Sequence, residues 1–212
     1  VELGNGGMPF DRRYAVMDSD PNRAGKPLTS RNEKRLLGYC AKVRDNVAYV
    51  RTPTGEEHDV HDPAWIEALS AEIAKPVTLQ SFENAIHDDA DILVINAASL
   101  RALAAEYGTF VNPLRFRPNF VVDSADLKPF AEEAWDGHDI AVGDALLRVQ
   151  YPCDRCVLTT IDPETLVTDP SFLRLVVEKH GGRFGMYCSV VRSGSVALGD
   201  EWHPKRKSEV VV

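Results

Sequence analysis

At 212 residues, with 44% apolar side chains, 26% charged side chains and a net charge of -8, the chain can bury a sizeable core as one larger domain or two small ones. Its acidic balance, with a sequence pI near 5.3, argues against nucleic-acid binding, since a phosphate backbone calls for a positive face. No apolar run approaches the ~20 residues that cross a bilayer. Cys40, Cys153, Cys156 and Cys188 are too few and too scattered for a disulfide scaffold, so a reducing, cytoplasmic compartment is expected. No signal peptide is visible, although a start at Val1 rather than Met is compatible with an upstream address or anchor.

In chain order, Gly4 to Gly7 lacks the strand-to-helix setting of a phosphate loop and reads as a turn. Tyr14 to Met17 and Asn46 to Arg51 read as short strands, broken by the Pro, Gly and Asp residues of 18–27 and 52–57. Pro63 to Lys75 places Trp65, Ile66, Leu69 and Ile73 at helical spacing after His61-Asp62-Pro63, with Pro76 as the stop. Ile92 to Ile95 is a buried-strand candidate. A helix follows over Ser99 to Tyr107, with Leu100, Leu103 and Ala104 on one face and Gly108 as its end. Phe120 to Asp123, Ala145 to Gln150 and Tyr187 to Arg192 are further strands. A helix over Phe172 to His180 closes at Gly181-Gly182, and the tail after Trp202, with Lys205-Arg206-Lys207, reads as a solvated end. Many short strands with a few separate helices do not give the βαβ alternation of a doubly wound sheet; the expected class is α+β, β-dominated and barrel-like.

Chemistry concentrates at Cys153-Asp154-Arg155-Cys156, between a strand-like run and the Asp162-Pro163 turn. A structural zinc calls for four N or S ligands, so it would have to recruit Cys188, His180 or His138 from a distance. A redox dithiol calls for a helix start after its first Cys, whereas the β-branched run that follows reads as extended. The pair is therefore two buried thiols, half of a zinc site, or a place where one thiolate serves as a soft ligand to a metal whose other ligands come from a cofactor. Arg155 would lower the thiol pKa, contact substrate or lie at the surface.

Arg115 and Arg117, between Asn112-Pro113 and the Phe120 strand, are placed to grip a phosphate with planar forks, as are Arg12 and Arg13; the alternative is pairing with surface carboxylates. His58 and His61 flank a polar turn and read as surface groups. Glu132 and Glu133 read as a solvated face.

Taken together, Asp11-Arg12-Arg13-Tyr14, Thr29-Ser30-Arg31, Asn96-Ala97-Ala98-Ser99-Leu100, Phe116-Arg117-Pro118-Asn119, Val142-Gly143-Asp144, the run Cys153 to Thr165 and Phe184-Gly185-Met186-Tyr187 resemble the MOSC family, the C-terminal domain of molybdenum cofactor sulfurases. The branch it most resembles is that of the amidoxime-reducing molybdoenzymes and their bacterial relatives. The resemblance implies a MOSC-type β-barrel, with an N-terminal β-barrel portion over 1–75 and the MOSC domain over 76–212. It implies molybdenum cofactor (Mo-molybdopterin) as the cofactor, Cys156 as the molybdenum ligand, and Arg117 and Asn119 on the pterin. Arg12 and Tyr187 would stand near the cofactor and Asp88 would match the family's acidic residue, although Asp89 and Ala90 replace the small hydroxyl residues expected next. The family's opening Pro-x-Lys-Ser-like segment precedes the start of this sequence. An appended ferredoxin-like domain is likewise outside it, with too few cysteines for an iron-sulfur cluster.

By resemblance the activity is reduction of a small N-hydroxylated substrate, with catalysis at Cys156 and Arg155. Electrons would come from a separate protein of ferredoxin or cytochrome b5 type and its reductase; no pyridoxal phosphate and no membrane span are expected. The alternatives are a non-catalytic carrier of molybdenum cofactor or sulfur and a small zinc-stabilised domain.

Overall fold

The computed structural model describes residues 1–20, 22, 25–86 and 89–205. In chain order its strands are β1 (Glu2–Leu3), β2 (Tyr14–Asp18), β3 (Cys40–Arg44), β4 (Val47–Arg51), β5 (Glu57–Asp59), β6 (Val77–Ser81) and β7 (Ile92–Asn96). They continue as β8 (Phe120–Val122), β9 (Asp139–Val142), β10 (Ala145–Asp154), β11 (Arg183–Arg192), β12 (Gly194–Ser195) and β13 (His203–Lys205). The α-helices are α1 (Pro63–Ile73), α2 (Ala97–Tyr107) and α3 (Pro170–His180). The expected β-dominated α+β class is what forms.

Two compact units divide the chain. One comprises Val1–Pro9, His87–Thr160 and Asp169–Val212; the other comprises Phe10–Ile86 and Ile161–Thr168. In the second unit β2 pairs antiparallel with β6, and β3, β4 and β5 form a small antiparallel sheet. Helix α1 begins where Asp62 accepts from the Ala64 N–H at 2.9 Å with proline at the first turn, and it buries Trp65, Leu69 and Ile73. Its end is not made by Pro76: Ala74 takes a left-handed conformation, φ 53°, and closes the last turn. These apolar residues, with Leu28, Val50, Val60 and Val77, are the core of this unit. His61 is exposed, as a group beside a polar turn should be, whereas His58 is half-buried against Asp62 at 2.9 Å.

The first unit holds a six-stranded sheet in the order β13-β9-β10-β11-β7-β8, curled into a half-barrel. All its pairings are antiparallel except β7 with β8, which are parallel and joined through α2. Ile92, Val94, Ile140, Leu147, Val149, Met186 and Cys188 fill its inner face. A second cluster, Ile95, Leu103, Val111, Phe116, Phe172, Val176 and Phe184, lies where α2 and α3 cover the sheet. Between β9 and β10 the buried Asp139 takes a two-pronged grip from Arg148 at 2.7 and 2.9 Å, so neither strand carries an unpaired buried charge. Gly4 and Gly7 exchange backbone hydrogen bonds at 3.0 Å, the turn expected of that stretch.

Lys205 is solvent-exposed, as a solvated end should be, although it pairs with β9 as part of β13; Arg206 and Lys207 lie outside the described residues. One expectation fails here: Glu132 is not on a solvated face. It is 1% exposed, because the Asn96 amide and the Ser99 hydroxyl both donate to its Oε2, at 2.9 and 2.8 Å. The Ser99 hydroxyl in turn accepts from the Phe130 N–H at 2.7 Å. The Asn96 side chain also caps α2 through the Ala98 N–H at 2.8 Å.

Candidate cofactor site

Strand β10 runs past the expected Gln150 to Asp154, and the first cysteine of the pair is therefore a strand residue. Its neighbours Pro152 and Asp154 pair with Met186 and Arg183, so Phe184 and Gly185 of β11 together face the single Cys153: a β-bulge. Gly185 has φ +77°, and a Cβ there would stand 2.7 Å from the Val94 carbonyl oxygen and 2.8 Å from Ile95 Cγ2, so only glycine fits. The bulge turns Cys153 inward, to 2% exposure. Burial pushes its thiol pKa up, against the opposing pull of the Arg155 charge and a hydrogen bond with the Tyr187 side chain. Burial and that same contact raise the Tyr187 phenol. The Tyr187 ring meets the Tyr151 ring edge-on at 5.7 Å, and the Tyr151 hydroxyl donates to Asp89 at 2.9 Å.

The run after Cys156 is not extended. Val157–Thr160 is a turn of 3-10 helix, since the Cys156 carbonyl accepts from both the N–H and the hydroxyl of Thr159, at 3.1 and 2.9 Å. The Thr160 hydroxyl folds back on the Val157 carbonyl at 2.7 Å. β-Branched threonines here serve as turn formers through their hydroxyls, which their strand propensity concealed. The outcome is a half-buried Cys156 thiol at the lip of the turn, followed by an exposed Val157.

The residues a zinc ion would have needed stand apart in roles of their own. Cys188 lies in the sheet core, where burial pushes its thiol to about 12. His180 stacks on Phe130 at 4.5 Å and meets Glu106 at 2.8 Å, while His138 Nδ1 is 3.2 Å from the Asp136 carbonyl oxygen. Among the described residues no three His, Cys, Asp or Glu side chains come together as a metal set.

The segment 112–119 is a shaped loop. Asn112 accepts from the Leu114 N–H at 2.9 Å and starts a 3-10 turn over Pro113–Arg115. Arg117 closes it: its N–H donates to the Leu114 carbonyl at 3.1 Å, its φ is 54°, and its side chain is exposed. Asn119 fastens the loop to the start of β7, donating its N–H to the Leu93 carbonyl at 2.8 Å and accepting the Leu93 N–H on its side chain at 2.9 Å. Arg115 donates to the Thr159 carbonyl at 3.0 Å, tying this loop to the turn after Cys156, and its guanidinium lies 5.1 Å from the Phe172 ring centre.

Arg155 is neither a surface arginine nor one that reaches outward. Its Nε donates to the Phe184 carbonyl at 2.8 Å, joined there by Nη2, and its Nη1 donates to the Phe116 carbonyl at 3.2 Å. The guanidinium covers the Phe116 ring at 5.1 Å. Burial lowers its pKa, opposed by the neighbouring Cys153, Tyr187 and Cys156.

Of the residues singled out from the sequence, Cys153, Arg155, Cys156, Arg117, Asn119 and Tyr187 all belong to the first unit, whereas Arg12, 2.7 Å from Asp11, belongs to the second. Asp88 lies outside the described residues. Sequence reasoning missed the buried Glu132. Its available signal was the spacing of Asn96 and Ser99, two short polar side chains three apart in an otherwise apolar strand-to-helix junction.

A family model for the MOSC domain matches residues 81–203, more than half of the chain. Mitochondrial amidoxime reducing component 2 of Rattus norvegicus is 35% identical over 137 residues, which are 58% of this chain and 39% of that protein. Molybdenum cofactor sulfurase of Drosophila mojavensis is 32% identical over 122 residues, 57% of this chain and 15% of that protein. The chain thus matches about two fifths of the first relative's length and far less of the second's. Among solved structures, the YUAD protein of Bacillus subtilis aligns over 95% of this chain and 82% of its own with a TM-score of 0.50 at 16% identity, a likeness of fold. The bulged Cys-x-x-Cys strand end, the Phe-Arg-Pro-Asn loop beside it and the matched span agree: the chain belongs to the MOSC domain family.

Proposed function

We propose that the chain binds molybdenum cofactor and, with it, reduces N-hydroxylated substrates using electrons from a separate carrier protein. The observation that carries this is the division of the two thiols: Cys153 is sealed behind the bulge, and Cys156 alone is presented at the lip of a turn. One soft, accessible thiol with no second protein ligand among the described residues suits a metal that arrives with sulfur donors of its own. The donor set therefore fits molybdenum held by a dithiolene. Cys156 would ligate the metal. Arg117, exposed on a loop braced by Asn119, would grip the cofactor's anionic end with its planar fork.

Bound there, the cofactor would supply two-electron oxygen-transfer chemistry. For an amidoxime or hydroxylamine, two electrons and two protons break the N–O bond, leaving N–H and releasing water. This chain's share is to orient the cofactor and substrate and to keep Cys153 and Tyr187 behind the site. The amidoxime-reducing names of its relatives support that substrate class.

The test is the molybdenum and pterin content of protein made in a host that synthesises the cofactor, followed by benzamidoxime reduction with a chemical electron donor. Near-stoichiometric molybdenum, lost in Cys156→Ser and retained in Cys153→Ser, is expected. Equal loss in both variants, or zinc in place of molybdenum, rejects the reading. Bound cofactor without turnover would make the chain a carrier, the second reading that its similarity to a cofactor sulfurase favours.

A further inference from the structure

Arg155 commits all three nitrogens of its guanidinium to the backbone of two separate segments. Among the described residues no carboxylate pairs with it; its donors go to the backbone carbonyls of Phe116 and Phe184. A half-buried guanidinium left to carbonyl dipoles gives up part of its hydration without a counter-charge, and an apolar side chain of similar volume would fill the same space at less cost. Filling space does not account for it. What an apolar side chain cannot do is bond two segments at once.

The two carbonyls are informative. Phe116 directly precedes Arg117, whose backbone stands in the left-handed region at φ 54°. Phe184 lies in the bulge opposite Cys153. The Arg155 N–H itself donates to the Gly182 carbonyl at 2.7 Å, and the next residue is Cys156. One planar fork thus connects the backbone carrying the accessible thiol, the bulge behind it and the loop carrying the exposed arginine, and the Phe116 ring beneath the guanidinium limits its rotation.

We propose that Arg155 is a positioning residue: it fixes the Arg117 turn relative to the Cys156 backbone, so that a thiol and a guanidinium are held ready at a set spacing for one anionic, metal-bearing ligand. This rests on the cofactor reading above and narrows it, because Arg155 then touches neither substrate nor cofactor. Lysine is the telling replacement, since its compact ammonium keeps the charge and can serve one carbonyl but cannot span both in the geometry of the fork.

The experiment compares the whole chain with Arg155→Lys and Arg155→Met by amide hydrogen exchange, thermal unfolding and metal and pterin analysis. In Arg155→Lys, exchange at the Arg117 amide should rise at least fivefold while that of Leu103, within α2, stays as in the parent. Cofactor content should fall at least threefold, and the double variant Arg155→Lys/Arg117→Lys should lose little more than Arg117→Lys alone. Parent-like exchange at Arg117 in Arg155→Lys overturns the proposal, and so does an equal rise at Arg117 and Leu103, which would mean loosening of the whole unit. Arg155→Met extends the comparison where it folds; the lysine variant decides where it does not. A parent chain empty of molybdenum and pterin would sink the cofactor reading instead, and the exchange arms would still judge whether Arg155 fixes the Arg117 turn.

Discussion

Side-chain burial decides what each titratable group at this site can do, and the two cysteines three residues apart show it most directly. Iodoacetamide at neutral pH should modify Cys40 and Cys156, which solvent reaches, well before Cys153 and Cys188, which are buried and whose thiols burial holds protonated. Peptide mass spectrometry checks this without any cofactor, and faster labelling of Cys153 than of Cys156 would contradict the assignment of ligand and buried neighbour. Glu132 offers a second case. Burial raises its carboxyl pKa against the opposing bonds from Ser99 and Asn96, so the folded chain keeps the proton to higher pH than the unfolded chain does. Its contribution to stability is therefore full below the ordinary carboxylate value and lost as pH rises through the raised one. Glu132→Gln keeps an oxygen acceptor for Asn96 and Ser99 and removes that loss, so its melting temperature should match the parent near pH 4 and equal or exceed it near pH 8. Glu132→Ala deprives buried donors of their acceptor and should cost roughly 1–3 kcal/mol at every pH.

At the scale of the element, the bulge at Phe184-Gly185 does the most to make the site. A Cβ at Gly185 would press on the Val94 carbonyl and on Ile95, both in β7, and backbone cannot yield as a side-chain tip would. Gly185→Ala should therefore destabilise the first unit by about 3 kcal/mol or more, read as a lower denaturation midpoint; a change within experimental error would show that the bulge tolerates a side chain. The bodies of helices α1, α2 and α3 were legible in the sequence from apolar spacing, from Asp62-Pro63 and from the closing Gly108 and Gly181; the caps Asn96 and Asp169 were not singled out, and α2 and α3 start two residues before the expected Ser99 and Phe172. The long strands β10 and β11 were legible only in part. Proline and glycine are poor strand residues in general, yet bulges absorb Pro152 and Gly185 here, and a bulge depends on the partner strand rather than on local propensity. The same blindness affected Val157 to Thr160, where β-branched side chains suggested an extended run and the threonine hydroxyls made a turn. Cys156 and Arg117 could be singled out as types and spacings. That Cys153 would be sealed, and that the Arg155 fork would face two carbonyls, could not, because both follow from contacts with residues about 30 to 40 positions away.

For the molecule as a whole, the question that the proposed function raises is how electrons would reach the site. The β7-α2-β8 segment is the parallel crossover among the described residues, and such a junction is where a dinucleotide's phosphates would settle. Here it cannot take them. Its turn is Asn96-Ala97-Ala98-Ser99 without glycine, Asn96 already caps the helix, and Ser99 and the Asn96 amide are committed to the buried Glu132. The Gly4 to Gly7 stretch closes on itself as a turn and precedes no helix. The chain should therefore fail to use NADH or NADPH directly, and on the proposed function it needs a carrier protein. An acidic carrier would have to find local positive charge on a chain of net charge -8. Arg155 is engaged with the Phe184 and Phe116 carbonyls and Arg115 with that of Thr159. Arg183 remains, solvent-facing beside an exposed Asp154 at 3.2 Å, an ion pair worth too little to hold it. Carrier-driven turnover should consequently fall as salt rises, and Asp154→Asn, which frees Arg183, should raise it about twofold at low ionic strength with no effect on turnover driven by a chemical donor. Robust NADH-driven reduction of a hydroxylamine by the purified chain alone would refute the carrier requirement, and salt-independent turnover with an acidic carrier would remove Arg183 from its docking.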